Sequence, residues 1–184
     1  MRLFIGIPLS PATSDALAAV TNHLRTKAAP NDLRWSIRES WHITLQFLGS
    51  TRPEQYDCLT TRLRELHHPP FAVQLGALGI FEGAGVLYVN VLVTPQLTSL
   101  QQAILAATAP CGFAPEDRPY HPHITLARRK GKSGGRELHS LKSQIRQQPS
   151  LPGFHADSFL LYESTHTPDG SRYEVRERFP LDAA

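Results

Sequence analysis

The tetrapeptide His42-Ile43-Thr44-Leu45 returns as His123-Ile124-Thr125-Leu126, 81 residues further along a chain of 184. Both copies lie among residues suited to a β-strand. Side chains on a strand alternate between faces, so His and Thr at i and i+2 look one way while Ile and Leu enter the core on the other. Each copy therefore presents one imidazole and one hydroxyl. Brought together, the copies make a site with two proton carriers and two neutral hydrogen-bond donors, a set suited to acid–base chemistry on an anion. A single His-x-Thr is common by chance, whereas two copies in matching surroundings point to function.

The duplication extends outward from the motifs. Leu3-Phe4-Ile5-Gly6-Ile7-Pro8 aligns with Leu87-Tyr88-Val89-Asn90-Val91-Leu92 at an offset of 84, and the same offset carries Pro11 onto Pro95. Each Pro is followed by helical apolar spacing, Leu17, Val20 and Leu24 in one case and Leu97, Leu100, Ile104 and Leu105 in the other. At an offset of 83, Phe71-Ala72-Val73-Gln74-Leu75 falls on Phe154-His155-Ala156-Asp157-Ser158. The order strand, helix, His-x-Thr strand, helix, strand thus occurs twice. A period of 81 to 84 residues is too long for a solenoid, so the pattern predicts one two-lobed catalytic domain over residues 1–184, with the motifs facing across a cleft near a pseudo-twofold axis.

Composition agrees with that reading. A chain that is 41% hydrophobic can bury a substantial core. No stretch is long enough for a membrane span, and the run Leu3 to Leu9 reads as a first strand, with Gly6 and Pro8 inside it. Cys58 and Cys111 lack metal-type spacing and fall in or beside helical segments, which favours reduced thiols in a cytoplasmic protein, with a disulfide as the alternative. The net charge of +3 and a pI near 9.1 mildly favour polyanionic partners. Arg128, Arg129, Lys130, Lys132 and Arg136 follow directly on the second motif. Such a run is either a solvated loop or a cradle for the phosphates of a strand end.

With Arg2-Leu3-Phe4-Ile5 at the start, Trp41-His42-Ile43-Thr44-Leu45-Gln46-Phe47-Leu48-Gly49 in the first half and Arg118-Pro119-Tyr120-His121-Pro122-His123-Ile124-Thr125-Leu126-Ala127-Arg128 in the second, the chain resembles the 2H phosphoesterase superfamily. Within it, the sequence is most similar to the RNA 2′,3′-cyclic phosphodiesterases, also called 2′-5′ RNA ligases. The resemblance covers nearly the whole chain. It implies a bilobal α+β fold, two lobes each with an antiparallel sheet flanked by helices and a metal-free active site in the central cleft, with no cofactor. The implied partners are RNA ends bearing a 2′,3′-cyclic phosphate, or small cyclic-phosphate nucleotides. The implied reaction is opening of that ring to a 2′-phosphate, and in some members reversible joining of ends through a 2′-5′ linkage.

The residues themselves support such chemistry. Opening a cyclic phosphodiester needs a base beside the attacking water and an acid beside the leaving ribose oxygen, and imidazole holds either protonation state near neutrality. His42 is expected as the acid and His123 as the base. Thr44 and Thr125 would donate to the nonbridging oxygens, where charge concentrates. Arg128 is a further phosphate contact, because a guanidinium offers paired donors. Strict alternation nevertheless puts it on the face of Ile124 and Leu126, so it reaches the cleft only if the strand ends, twists or bulges. Tyr120 and Tyr88 are candidates for stacking on the base or ribose, set against a packing role for each. His121 shares a strand face with His123 by parity, while His67, His68, His139, His155 and His166 read as surface residues. Two alternatives stand beside this reading. One is a metal-dependent phosphohydrolase using His42, His121 and His123 as ligands, which leaves the repeated Thr unexplained. The other is an RNA-end-binding module without turnover.

Overall fold

The two halves of the chain open alike, with a strand and then a proline-led helix. These are β1 (Arg2–Pro8) and α1 (Pro11–Arg25) in the first half, β6 (Val86–Val91) and α3 (Pro95–Thr108) in the second. The helix starts share one physical cause. The Ser10 hydroxyl accepts from the Thr13 N–H at 3.1 Å and the Thr94 hydroxyl from the Leu97 N–H at 3.2 Å. Each bond satisfies an amide that has no partner inside the helix, and Pro11 and Pro95 stand where no N–H is required. Leu17, Val20 and Leu24 of α1 and Leu97, Leu100 and Ile104 of α3 form buried stripes as the spacing predicts, while Leu105, also expected there, is only half-buried.

The structure is a computed structural model that describes residues 1–28, 32–131, 133–167 and 170–182. The remaining elements are β2 (Leu33–Trp35), β3 (His42–Ser50), α2 (Pro53–Arg64), β4 (Phe71–Val73), β5 (Leu75–Phe81), β7 (His123–Arg129), α4 (Ser133–Ser140), α5 (Lys142–Ile145), β8 (Phe154–Ala156), β9 (Ser158–Thr167) and β10 (Gly170–Pro180). They build two four-stranded sheets, in the orders β10-β9-β1-β3 and β2-β7-β6-β5, with every neighbouring pair antiparallel. Helix α3 packs on β3, and α4 packs on β7 and β2. This is the α+β, two-lobed arrangement expected, with one His-x-Thr strand in each sheet.

The connectivity is less direct than the repeat implies. Strand β5 closes the first repeat in sequence but pairs with β6 of the second, while β9 closes the second repeat but pairs with β1 of the first. Each sheet thus takes its third strand from the other half of the chain. The short strands preceding these, β4 and β8, pair with each other, Phe71 opposite Ala156, Ala72 opposite His155 and Val73 opposite Phe154. Two repeat-related strands can pair antiparallel in this way only around a local twofold axis. Strands β2 and β10 fall outside the duplicated pattern and extend one edge of each sheet. The buried cluster is continuous across both sheets, with Ile5, Ile43, Leu45 and Leu161 on one side and Leu87, Val89, Ile124 and Leu126 on the other. No helix among the described residues is long and apolar enough to cross a membrane.

The expectation of reduced thiols is corrected by the fold. Cys58 on α2 and Cys111, in the 3₁₀ turn that ends α3, form a disulfide across a Cα–Cα separation of 5.7 Å. The reason is tertiary: α2 lies against α3, and Gln55 Nε2 donates to the Cys111 carbonyl at 3.2 Å, which holds the turn beside the helix. The link closes a loop across a sequence separation of 53. A loop of that size is worth about 4 kcal/mol in the chain-entropy view, less in practice. Thiol titration in denaturant should therefore find no free thiol before reduction, and reduction should lower the unfolding midpoint in urea by an amount equivalent to roughly 2–4 kcal/mol.

Candidate active site

The interior half of each motif sets the position of the exterior half. Ile43 and Leu45 on β3, and Ile124 and Leu126 on β7, are buried, which turns His42 and Thr44, and His123 and Thr125, to the opposite face. Strands β3 and β7 approach each other from the two sheets. All four side chains line one cavity of about 360 Å³. The convergence expected from the duplication is thus present in the structure.

Each strand departs from regular alternation at the same place. Leu45 has no partner in the ladder, because Gln46 pairs with Ile5 and Thr44 with Gly6; Leu126 has none, because Ala127 pairs with Leu87 and Thr125 with Tyr88. A bulge of this kind shifts the parity of everything beyond it by one. Leu45 and Gln46 are consequently both buried, as are Leu126 and Ala127. The next residues, Phe47 and Arg128, return to the face of the histidines and line the cavity. Arg128 reaches the cleft by this route. Phe47, 81 positions before it and 58% exposed, occupies the equivalent place in the other lobe, and was not singled out from sequence. Its signal was available: the offset that relates the motifs also relates Phe47 to Arg128.

Both imidazoles are held by backbone carbonyls. His42 Nδ1 donates to the Ser40 carbonyl at 2.7 Å and His123 Nδ1 to the His121 carbonyl at 2.8 Å. In the neutral rings that leaves each Nε2 as the atom able to accept a proton. His42 Nε2 accepts from the Thr44 hydroxyl at 3.1 Å. The surroundings of the rings differ. Phe4, Tyr173 and Tyr162 enclose His42, with ring centroids at 4.6, 5.2 and 5.5 Å. That desolvation, aided by the charges of His123 and Arg128, lowers its pKa from the ordinary 6.5 to about 4. Burial also lowers the pKa of His123, with His121 and Arg128 acting in the same direction and the His121 carbonyl acting against them.

Other candidates separate from the cavity. Tyr120 donates its hydroxyl to the Thr44 carbonyl at 3.1 Å, and Tyr88 stacks on Phe81 with centroids 3.9 Å apart. Tyr88 does not line the cavity of about 360 Å³, whereas Tyr120 lines an adjoining cavity of about 300 Å³ that shares Thr44, Phe47 and His123 with it. Tyr120 braces β3, and Tyr88 packs beside the His123 ring at 5.7 Å, as its repeat mate Phe4 does beside His42. His121 is bonded through Nε2 to Asn90 Oδ1 at 3.2 Å and lines the adjoining cavity with His123 but without His42, so the three imidazoles of the metal alternative do not share one cavity. Among the described residues no group of three His, Cys, Asp or Glu is arranged to hold a metal ion. Of the basic run, Arg129 donates to the Gly83 carbonyl at 3.4 Å, Arg136 lies exposed on α4, and Lys132 is outside the described residues. The further basic groups at the cavity come instead from scattered positions, Arg2 on β1, Arg34 on β2 and His166 on β9. They share no common spacing, and His166, read as a surface residue from sequence, lines the cavity here.

Gly6 makes the His42 pocket possible. A Cβ there would lie 2.8 Å from the Ile43 carbonyl oxygen and 3.3 Å from the His42 ring. Gly6→Ala should push the ring out of its aromatic enclosure, and an NMR titration should then show the His42 pKa moving up from about 4 toward 6.5. The unaltered folded protein holds fewer protons at His42 than the unfolded chain does between about pH 4 and 6.5, so its stability should fall as acid is added through that window. The variant should lose part of this acid sensitivity.

Comparison with known proteins agrees with the geometry. The chain is 27% identical to the RNA 2′,3′-cyclic phosphodiesterase of Bacillus subtilis, over 97% of this chain and 95% of that protein. It is 26% identical to the protein of the same name from Escherichia coli, over 98% and 96%. Identity to a Geobacillus stearothermophilus relative of that name is 28%, although the chain spans only 56% of that protein's length. Among solved structures, Escherichia coli LigT complexed with 3′-AMP superposes with a TM-score of 0.76 at 25% identity, covering 98% of this chain and 97% of that one. A Thermus thermophilus protein shares the fold at a TM-score of 0.78, 24% identity, and coverage of 100% and 99%. The model of the 2′-5′ RNA ligase superfamily matches residues 13–167, which include both His-x-Thr strands, and the chain belongs to that superfamily.

Proposed function

We propose that the whole chain works as one two-lobed catalytic domain, an RNA 2′,3′-cyclic phosphodiesterase that opens a terminal cyclic phosphate to a 2′-phosphate by two-histidine acid–base catalysis. The observation that carries the reading is the convergence of His42, Thr44, His123, Thr125 and Arg128 on one cavity from two sheets. The names of the relatives support the substrate class. We assign the reaction to the cytoplasm on its RNA substrate alone, since the Cys58–Cys111 disulfide removes the argument from reduced thiols.

The proposed step is a balanced displacement at phosphorus. Water loses a proton to one imidazole Nε2 as its oxygen bonds to phosphorus, the bond from phosphorus to O3′ breaks, and the other imidazole gives a proton to O3′. The hydroxyls of Thr44 and Thr125 and the Arg128 guanidinium donate to the nonbridging oxygens. The role of Thr44 requires its hydroxyl to turn from His42 Nε2 to the phosphate, which frees that nitrogen for the water. A 5′-hydroxyl in place of water gives a 2′-5′ linkage by the same roles.

The electrostatics favour the reverse of the role assignment expected from sequence. His42 is the harder of the two to charge, so the free protein that carries one proton on the pair carries it on His123. Hydrolysis starting from that form uses His42 as base and His123 as acid. The rise of kcat/KM with pH then follows loss of the His42 proton near pH 4, and its fall follows loss of the His123 proton below the ordinary 6.5. The optimum should therefore lie on the acid side of neutrality, and Arg128→Gln should move both limbs to higher pH because its charge depresses both histidines.

The test is incubation with short RNAs bearing a 2′,3′-cyclic end, in strong chelator, with the product isomer identified. Replacing either histidine by Ala should lower the rate by about 10²- to 10⁴-fold. On a nitrophenyl phosphodiester, whose leaving group needs no proton, His123→Ala should retain more activity than His42→Ala. The opposite ranking would return the acid role to His42, and a rate that rises monotonically into the alkaline range would remove the two-histidine mechanism.

A further inference from the structure

Arg34 on β2 stands directly opposite Arg128 on β7 in the antiparallel ladder. Directly opposed residues share a sheet face, and like charges in that position repel. Both side chains are exposed and line the histidine cavity, and the lining contains no Asp or Glu. Among the described residues neither guanidinium takes part in an ion pair. Leu33 and Ala127, one step away on the same strands, are buried, so the two arginines are held on the cavity face by the core packing of their neighbours. A pair of unneutralised cations fixed side by side in a cleft is a site for anionic charge.

In the step proposed above the nonbridging oxygens of the reacting phosphate are already served by two hydroxyls and Arg128, and a cyclic diester carries a single negative charge. Arg128 stands on the His-x-Thr strand itself and acts on both imidazoles, whereas Arg34 stands on the edge strand β2 beyond it. An RNA end with a cyclic phosphate carries one other charge within its last residue, the phosphodiester on its 5′ side. A free cyclic nucleoside lacks that group.

We propose that Arg34 binds the phosphodiester joining the terminal nucleotide to the rest of the strand, and so makes the site select RNA ends over free nucleoside cyclic phosphates. The proposal rests on the phosphodiesterase reading above. It makes Arg34 a specificity residue, with Arg128 left to the reacting phosphate.

The experiment compares uridine 2′,3′-cyclic phosphate with a short RNA ending in the same cyclic uridine, using the unaltered protein, Arg34→Gln and Arg34→Lys. For the RNA, Arg34→Gln should raise KM about 10- to 100-fold, the loss expected for one charge-assisted phosphate contact, with little change in kcat. For the cyclic nucleoside, both constants should stay within about twofold of the unaltered protein, since no contact to that substrate is removed. The slope of log kcat/KM for the RNA against log salt should become shallower by roughly one in Arg34→Gln and be retained in Arg34→Lys. The thermal midpoint should not fall, because the substitution removes a repulsion and no ion pair. Equal losses on both substrates would assign Arg34 to the reacting phosphate, and no loss on either would leave it without a role; both results overturn the proposal. If the unaltered protein opens neither substrate, the phosphodiesterase reading itself fails.

Discussion

In each His-x-Thr strand the leucine after the threonine is an extra residue in the ladder, and the rest of the site depends on that irregularity. A regular strand would bury every second side chain and send the third functional position into the core. With Leu45 and Leu126 bulged, two successive residues are buried and the following one turns back to the cleft. One strand can then present three groups to a single cavity: His42, Thr44 and Phe47 on one side, His123, Thr125 and Arg128 on the other. The duplicated backbone is thus filled with different chemistry, an aromatic ring in one lobe and a guanidinium in the other.

Exchange of strands between the repeats gives that geometry its rigidity. Because β5 lies against β6 and β9 against β1, neither His-x-Thr sheet is complete within its own half of the chain. Separating the lobes would break ladders as well as apolar contacts. The motifs therefore face each other across a gap whose width is set by backbone pairing and a shared core, the fixed width that the proposed displacement at phosphorus needs.

Two forces act on the imidazoles in the same direction. Burial of the rings and the Arg128 charge both disfavour protonated histidine, more strongly at His42 than at His123. A bound anion reverses the second force without altering the first. In the proposed mechanism the protonation needed by the acid is in this way coupled to occupancy by a phosphate, with the aromatic box around His42 maintaining the difference between the two rings.

The duplicated motif, the proline-led helices and the offset strands were legible from the chain alone, because each is a local pattern: alternation for strands, apolar spacing for helices, a cap residue before a proline. They were enough to establish the two-lobed α+β class and to single out His42, Thr44, His123 and Thr125. The bulges were not legible, since Leu45 and Leu126 look like ordinary core residues and only the cross-strand register shows that they are unpaired. Nor was the disulfide, which depends on α2 lying beside the end of α3. Arg2 and Arg34 reach the cleft through strand pairing, Arg34 beside Arg128, while Tyr88 turns to packing and Tyr120 to a backbone carbonyl at an adjoining cavity. What residues the cleft would hold in duplicate was determined by the sequence itself, through local periodicity; which further side chains share it, and which imidazole is the harder to charge, was decided by tertiary structure, because register, strand exchange and desolvation arise only between segments far apart in the chain.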